Sequence, residues 1–151
     1  MGAKEKMNSI GQPVPELPVT DVERAQQRYR DALDFEIGWL YSRKEIGALS
    51  RGNVAIFFRM RKPPFEPAVH WVFAEDIDAS YQELKSLGAN IVDPLEKKPW
   101  GLRQFTVEDL DGNSSISTMT NRTSYDKRLE LVAEARLLNR EPFRDYAETI
   151  P

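Results

Sequence analysis

Two stretches of the chain share one hydrophobic grammar. Val14 to Val19 reads as a short strand, after which Asp21 opens a helix whose apolar residues Val22, Ala25, Tyr29 and Leu33 return at helical spacing and bury one face. Val69 to Ala74 reads as another strand, and Asp76 opens a second helix presenting Ile77, Tyr81, Leu84 and Leu87 before Gly88 stops it. A shift of 55 places lays Asp21 on Asp76, Val22 on Ile77, Glu23 on Asp78 and Tyr29 on Leu84. Self-similarity of this kind points to an internal duplication.

The segments after the two helices support that reading. Phe35, Ile37, Trp39 and Tyr41 alternate with Glu36, Gly38, Leu40 and Ser42, and a turn at Arg51-Gly52-Asn53 precedes a strand from Val54 to Met60. Beyond the second helix come Asn90-Ile91-Val92, the stretch Leu102 to Glu108, a turn over Asp109 to Asn113 and Ser115 to Thr120. Between the halves, the proline-rich run Arg61 to Pro67 suits neither helix nor strand. The expected organisation is an extended or disordered N-terminus over 1–12, one βαβββ module over 13–62, a linker over 63–67, a second βαβββ module over 68–120 and a helical extension over 121–151. The fold class is α+β, with the paired modules forming a curved sheet around a cavity and a C-terminal helix added to it. That helix, expected at about 124–139 with Leu129, Val132 and Leu137, either covers a sheet edge or partner subunit, or recruits another partner.

Composition narrows the chemistry. The 151 residues, 40% hydrophobic and 30% charged, suit one compact domain or two small modules sharing a core. No run approaches the roughly 20 apolar residues of a membrane span, and the first residues lack the apolar stretch of a secretory signal, so a cytoplasmic protein without a membrane partner is expected. With no cysteine there is no disulfide, thiolate metal site or cysteine nucleophile. Against 21 Lys and Arg stand 24 Asp and Glu, which argues against a nucleic-acid partner. His70 is the single histidine. Ser114, Ser115 and Ser117 lie close together, but one histidine and no strand-turn-helix elbow make a hydrolytic triad untenable. The run Asp109 to Asn113 lacks the downstream glutamate of a calcium loop and reads as a hairpin turn.

The paired modules and the strand-cap phrase Leu17-Pro18-Val19-Thr20-Asp21-Val22-Glu23-Arg24-Ala25 resemble the vicinal oxygen chelate superfamily, which includes glyoxalase I, extradiol dioxygenases, fosfomycin-resistance enzymes and bleomycin-resistance proteins. Pro99-Trp100-Gly101-Leu102-Arg103-Gln104-Phe105, the turn at Asp109 to Asn113, and Trp71-Val72-Phe73-Ala74-Glu75-Asp76-Ile77-Asp78 are most similar to phrases of the bleomycin-resistance type. The resemblance spans about residues 13 to 120. It implies that metal-using relatives chelate a divalent ion from positions falling here on Val14, Val69 and Ile116. All three are aliphatic and have no electron pair to donate, so neither metal nor other cofactor is expected. His70 becomes a ligand only if the strand register slips by one residue.

With Val69 on the cavity face, strand parity puts Trp71 and Phe73 there and turns His70, Val72 and Ala74 toward the helices. Trp39, Tyr41, Trp100, Phe105 and one of Phe57 and Phe58 supply further aromatic surface, with Phe57 taken as the lining residue although parity leaves that choice open. Glu16 shares parity with Val14 and either enters the cavity, where it would favour a cationic ligand, or stands in solvent. The expected ligand-binding set is therefore Val14, Glu16, Trp39, Tyr41, Phe57, Val69, Trp71, Phe73, Trp100, Phe105 and Ile116. The resemblance implies a homodimer that sequesters a small aromatic, cationic or neutral molecule such as a bleomycin-type antibiotic in crevices between subunits. The alternative is a glyoxalase- or dioxygenase-like enzyme using a divalent metal, or Glu16 as acid or base.

Overall fold

The computed structural model describes residues 10–119, so the expected N-terminal arm lies largely outside it and the C-terminal helix lies wholly outside it. The first module runs β1 (Glu16–Val19), α1 (Val22–Leu33), β2 (Glu36–Leu40), β3 (Ile46–Arg51) and β4 (Val54–Met60). The second runs β5 (Val69–Ala74), α2 (Ile77–Ser86), β6 (Ile91–Lys97), β7 (Arg103–Glu108) and β8 (Ser114–Met119). Each forms a four-stranded sheet, ordered β1-β4-β3-β2 and β5-β8-β7-β6. The outer pairs β1–β4 and β5–β8 are parallel and the remaining pairs antiparallel, so the duplicated grammar is also a duplicated topology. The α+β class and its two βαβββ units are those expected from the periodicity.

Local chemistry sets the boundaries. Asp21 and Asp76 adopt extended backbone, and their carboxylates accept from the backbone N–H of Arg24 and Ala79, satisfying donors that the first helical turn leaves open. α1 ends at Asp34 and α2 just before Gly88, both with positive φ. Gly88 enters that conformation without steric cost, and the short polar side chain of Asp34 tolerates it. β3, which sequence periodicity did not single out, pairs with β4 across the turn at Gly52-Asn53. Pro94 sits in β6, an edge strand, where its missing N–H costs no ladder bond within the sheet.

One face of each sheet carries its helix. Leu17, Val19, Leu49, Ile56 and Phe58 pack beneath Val22, Ala25, Tyr29 and Leu33, while Phe105 and Val107 pack beneath Ile77 and Leu84, all in one continuous core. The modules meet through these helix-bearing sides. The Tyr29 hydroxyl donates to Asp109 Oδ2 at 2.8 Å, Asn113 Nδ2 donates to the Pro18 carbonyl at 2.8 Å, and Thr20 donates from both its backbone N–H and its hydroxyl to Asp111 Oδ1. Farther along the junction, Arg51 reaches Glu83 at 3.0 Å and Arg28 donates to the Gly88 carbonyl. Since the helical sides face inward, the opposite face of each sheet looks outward.

Candidate functional site

On the outward face of the first sheet, Glu16 lies opposite Phe57 in the β1–β4 register, and Phe57 meets Trp39 edge to face with ring centroids 5.4 Å apart. Phe57 is therefore the outward member of its pair, because Phe58 is fully buried against α1. Trp39 owes its position to a β-bulge at Gly38, which interrupts the alternation between Ile37 and Trp39 and sets Trp39 opposite Ala48. Glu16 is held at 2.6 Å by Arg59, two residues along the same side of β4 from Phe57. Val14 lies just ahead of β1 and Tyr41 just beyond β2, both exposed.

On the outward face of the second sheet, Val69, Trp71 and Phe73 are 62%, 52% and 61% exposed, and Ile116 lies opposite Trp71 across the β5–β8 pair. Trp100, in the connection between β6 and β7, donates its indole N–H to Gln104 Oε1 at 3.0 Å and is itself 59% exposed. Lys98 closes one side of this face by bridging Asp93 at 2.7 Å and Glu96 at 2.6 Å. Val69, Trp71 and Phe73 thus form a run of exposed apolar residues on one face of one strand.

Phe105 does not belong to either outward face. It pairs with Ser117 on the helix-bearing side, is fully buried and meets Tyr81 edge to face, so it is a core residue of the second module. The phrase Pro99 to Phe105 carries no parity of its own, and only the register with β8 reveals the side that Phe105 takes. Of the other expected residues, Glu16, Trp39 and Phe57 share the outward face of one sheet and Val69, Trp71, Phe73 and Ile116 that of the other, while Val14, Tyr41 and Trp100 lie in the segments beside the strands. Arg59 was absent from the expectation, because its approach to Glu16 depends on the parallel β1–β4 register, which joins residues 43 positions apart.

His70 turns to the helix-bearing side, in register with Ser115. Both imidazole nitrogens are buried with no hydrogen-bond partner among the described residues. Burial pushes its pKa below the ordinary histidine value, with the Asp109 carboxylate working weakly against that shift. Asp109 itself anchors the hairpin: Oδ1 accepts from the backbone N–H of Asp111 and Asn113, and Oδ2 from Tyr29 and the Asn113 amide. Burial and that carboxylate together raise the Tyr29 pKa far above the ordinary phenol value, so Tyr29 remains a neutral donor.

Residues 9–114 match the profile of the Glyoxalase/Bleomycin resistance protein/Dioxygenase superfamily. The chain belongs to this superfamily. No match is found among curated proteins. Among solved structures, TioX from Micromonospora sp. ML1 is similar at 27% identity and a TM-score of 0.61, over 72% of this chain and 98% of that one. A bleomycin-binding protein complexed with bleomycin is similar at 21% identity and a TM-score of 0.65, over 74% of this chain and 100% of that one. The bleomycin resistance determinant encoded on the transposon Tn5 is similar at 22% identity and a TM-score of 0.65, over 74% of this chain and 99% of that one. At the last two identities the likeness concerns the fold.

The divalent metal used by some superfamily members finds no matching donors on the described faces. Val69 and Ile116 present only hydrocarbon, as does Val14, and no group of three or more His, Asp or Glu is placed to hold an ion among the described residues. Nor is any described helix long and apolar enough to cross a membrane.

Proposed function

We propose that this protein is a metal-free binder of small, flat aromatic molecules, of the kind represented by bleomycin-type antibiotics, and that it works by sequestration. The observation that carries this reading is the outward stack of Val69, Trp71 and Phe73 backed by Ile116, with Trp39 and Phe57 forming a second aromatic wall on the other sheet. Aromatic faces gain by stacking on a flat ligand and attract cations, each such contact contributing about 0.5 to 2 kcal/mol. No bond need break for such a protein to act.

The helix-bearing sides of the modules are occupied by one another, so within one chain the two aromatic faces look away from each other. A second copy in a homodimer would bring the first sheet of one subunit opposite the second sheet of its partner, and a crevice walled on both sides would result. Such closure also removes exposed apolar surface from water, at about 25 cal/mol per Å². Glu16 supports a cationic ligand less strongly than its carboxylate alone suggests, since Arg59 already neutralises it; a cation entering there displaces Arg59, whereas a neutral ring need not.

All three tryptophans lie on or beside these faces, so fluorescence reports on the site directly. Titration with bleomycin and with ethidium, a flat cation, should give saturable quenching, and Trp71→Ala with Phe73→Ala should weaken binding at least about tenfold. No saturable change with either ligand would remove the aromatic-binder reading. Light scattering separately tests the dimer: a monomer at all concentrations would leave the two walls as separate, shallow surfaces.

A further inference from the structure

The second module keeps the first module's register but not its filling. Leu17 lies opposite Phe58 in the first sheet, and the duplicated pair in the second is Val72 opposite Ser117. Ile56 opposite Leu49 becomes Ser115 opposite Val107, and Val19 becomes Ala74. One exchange is offset by its neighbour, since Gly47 beside Phe58 becomes Phe105 beside Ser117. The others are not. Leu17, Val19 and Ile56 are essentially inaccessible to water, whereas their counterparts border a cavity of about 730 Å³.

That cavity lies where the modules meet, mainly on the helix-bearing side, and reaches Phe73 and Glu75 at the end of β5. Its floor is Val72, Ala74, Ser115, Ser117 and Val107, and Ser80 and Leu84 of α2 form one wall. The first module closes it with Leu33, Phe35 and the turn from Arg51 to Val54. Arg51 is committed there, donating to the Leu33 carbonyl and to Glu83 at 3.0 Å each. The charged residues of the lining are Arg51, which is paired with Glu83, and Glu75, which is also engaged. A volume of this size at a junction of structural units falls within the ordinary range of small-molecule sites.

Three serines give the cavity a polar part. His70 shares the floor's side of β5 and is in register with Ser115, but it is not a lining residue, and its two buried nitrogens have no partner among the described residues. A merely underpacked core would be lined by hydrocarbon and stay dry. Here Ser80, Ser115 and Ser117 are among the lining residues, so the space is bordered by hydroxyl-bearing side chains that a purely apolar void lacks.

We propose that this junction cavity is a second binding site, meeting the outward aromatic faces only at Phe73, for a small uncharged molecule with an apolar ring and a hydroxyl or amide group. The ring rests against Leu33, Phe35, Val54 and Leu84, and the polar group turns toward the β8 serines. An ionised ligand is disfavoured because both charged residues of the lining already have partners.

Nuclear magnetic resonance on the full chain tests the site, with p-cresol as the uncharged probe and 4-methylbenzoate as its charged counterpart. Saturable shifts with p-cresol are expected at the amides of Ser115, Ser117, Leu84 and Val107, with 4-methylbenzoate binding at least about tenfold more weakly. Ser115→Ile, which restores the first module's residue, should abolish the p-cresol shifts while leaving ethidium quenching unchanged. Val72→Leu does the same by a milder change should Ser115→Ile not fold. Shifts confined to Trp39, Trp71 or Trp100, no saturable shift in the wild-type chain, or unaltered binding in folded variants would each overturn the proposal.

Discussion

The two modules share an order of elements, a sheet topology and a pair of aspartate-capped helices, yet they differ in where they place their large side chains. The first turns Leu17, Val19, Ile56 and Phe58 inward, and it owns most of the fully buried apolar residues. The second contributes Ile77, Leu84, Phe105 and Val107 to the core and turns Val69, Trp71 and Phe73 outward. Duplication supplies two equivalent frames. Divergence then lets one frame stabilise the fold while the other places its bulk on an exposed wall and leaves room beneath its sheet.

The largest test of that division compares equivalent positions in β4 and β8. Phe58→Ala removes a ring that packs edge to face on Tyr29 with no space to collapse into, and should cost about 3 to 5 kcal/mol in urea unfolding. Ser117→Ala, at the matching position, borders existing space and should change stability by less than about 1 kcal/mol. Comparable losses at both sites would show that the modules contribute equally.

The junction between the modules offers a smaller effect with a sharper readout. Asn113 is almost wholly buried, accepts from the Ala68 backbone N–H at 2.8 Å and donates to both the Pro18 carbonyl and Asp109. Asn113→Ala leaves those partners buried without it and should cost about 2 to 3 kcal/mol. If the node holds the modules as one cooperative unit, amide exchange should accelerate in both sheets together. Faster exchange restricted to β5 through β8 would instead mean that the second module opens alone.

How much of this was legible in the sequence depends on the range of the interactions. The helices, their caps and the outward parity of Val69, Trp71 and Phe73 are local, written in spacings of two to four residues. β3 escaped because Ile46 to Arg51 mixes glycine, alanine and serine with only two aliphatic residues and so has no clear period. Phe57 and Phe58 are adjacent, and only the buried neighbour Tyr29 decides between them. Phe105, Arg59 and the hollow beneath Ser115 all depend on register between strands far apart in sequence. Tyr29 shows the same limit: its spacing marks a buried helix position, but its bond to Asp109 spans 80 residues.

His70 gives the smallest expected effect and the most specific contrast, because the position that duplication matches to it in the first module is Pro15, which cannot titrate. Burial lowers its pKa in the folded protein below the ordinary value of 6.5, so at mildly acid pH the unfolded chain binds more protons than the folded one. Stability from this residue is complete above about pH 6.5 and is lost as pH falls from there through the depressed folded value. A thermal midpoint measured from about pH 7.5 down to about pH 5 should therefore fall, and His70→Gln should flatten the part of that decline lying just below about pH 6.5. The carboxylates titrate lower and contribute in both proteins, which separates their share from that of His70. An unchanged profile in the variant would mean that the imidazole is as well accommodated when protonated as when neutral, and its two unpartnered nitrogens would then need a solvated environment that their burial does not provide.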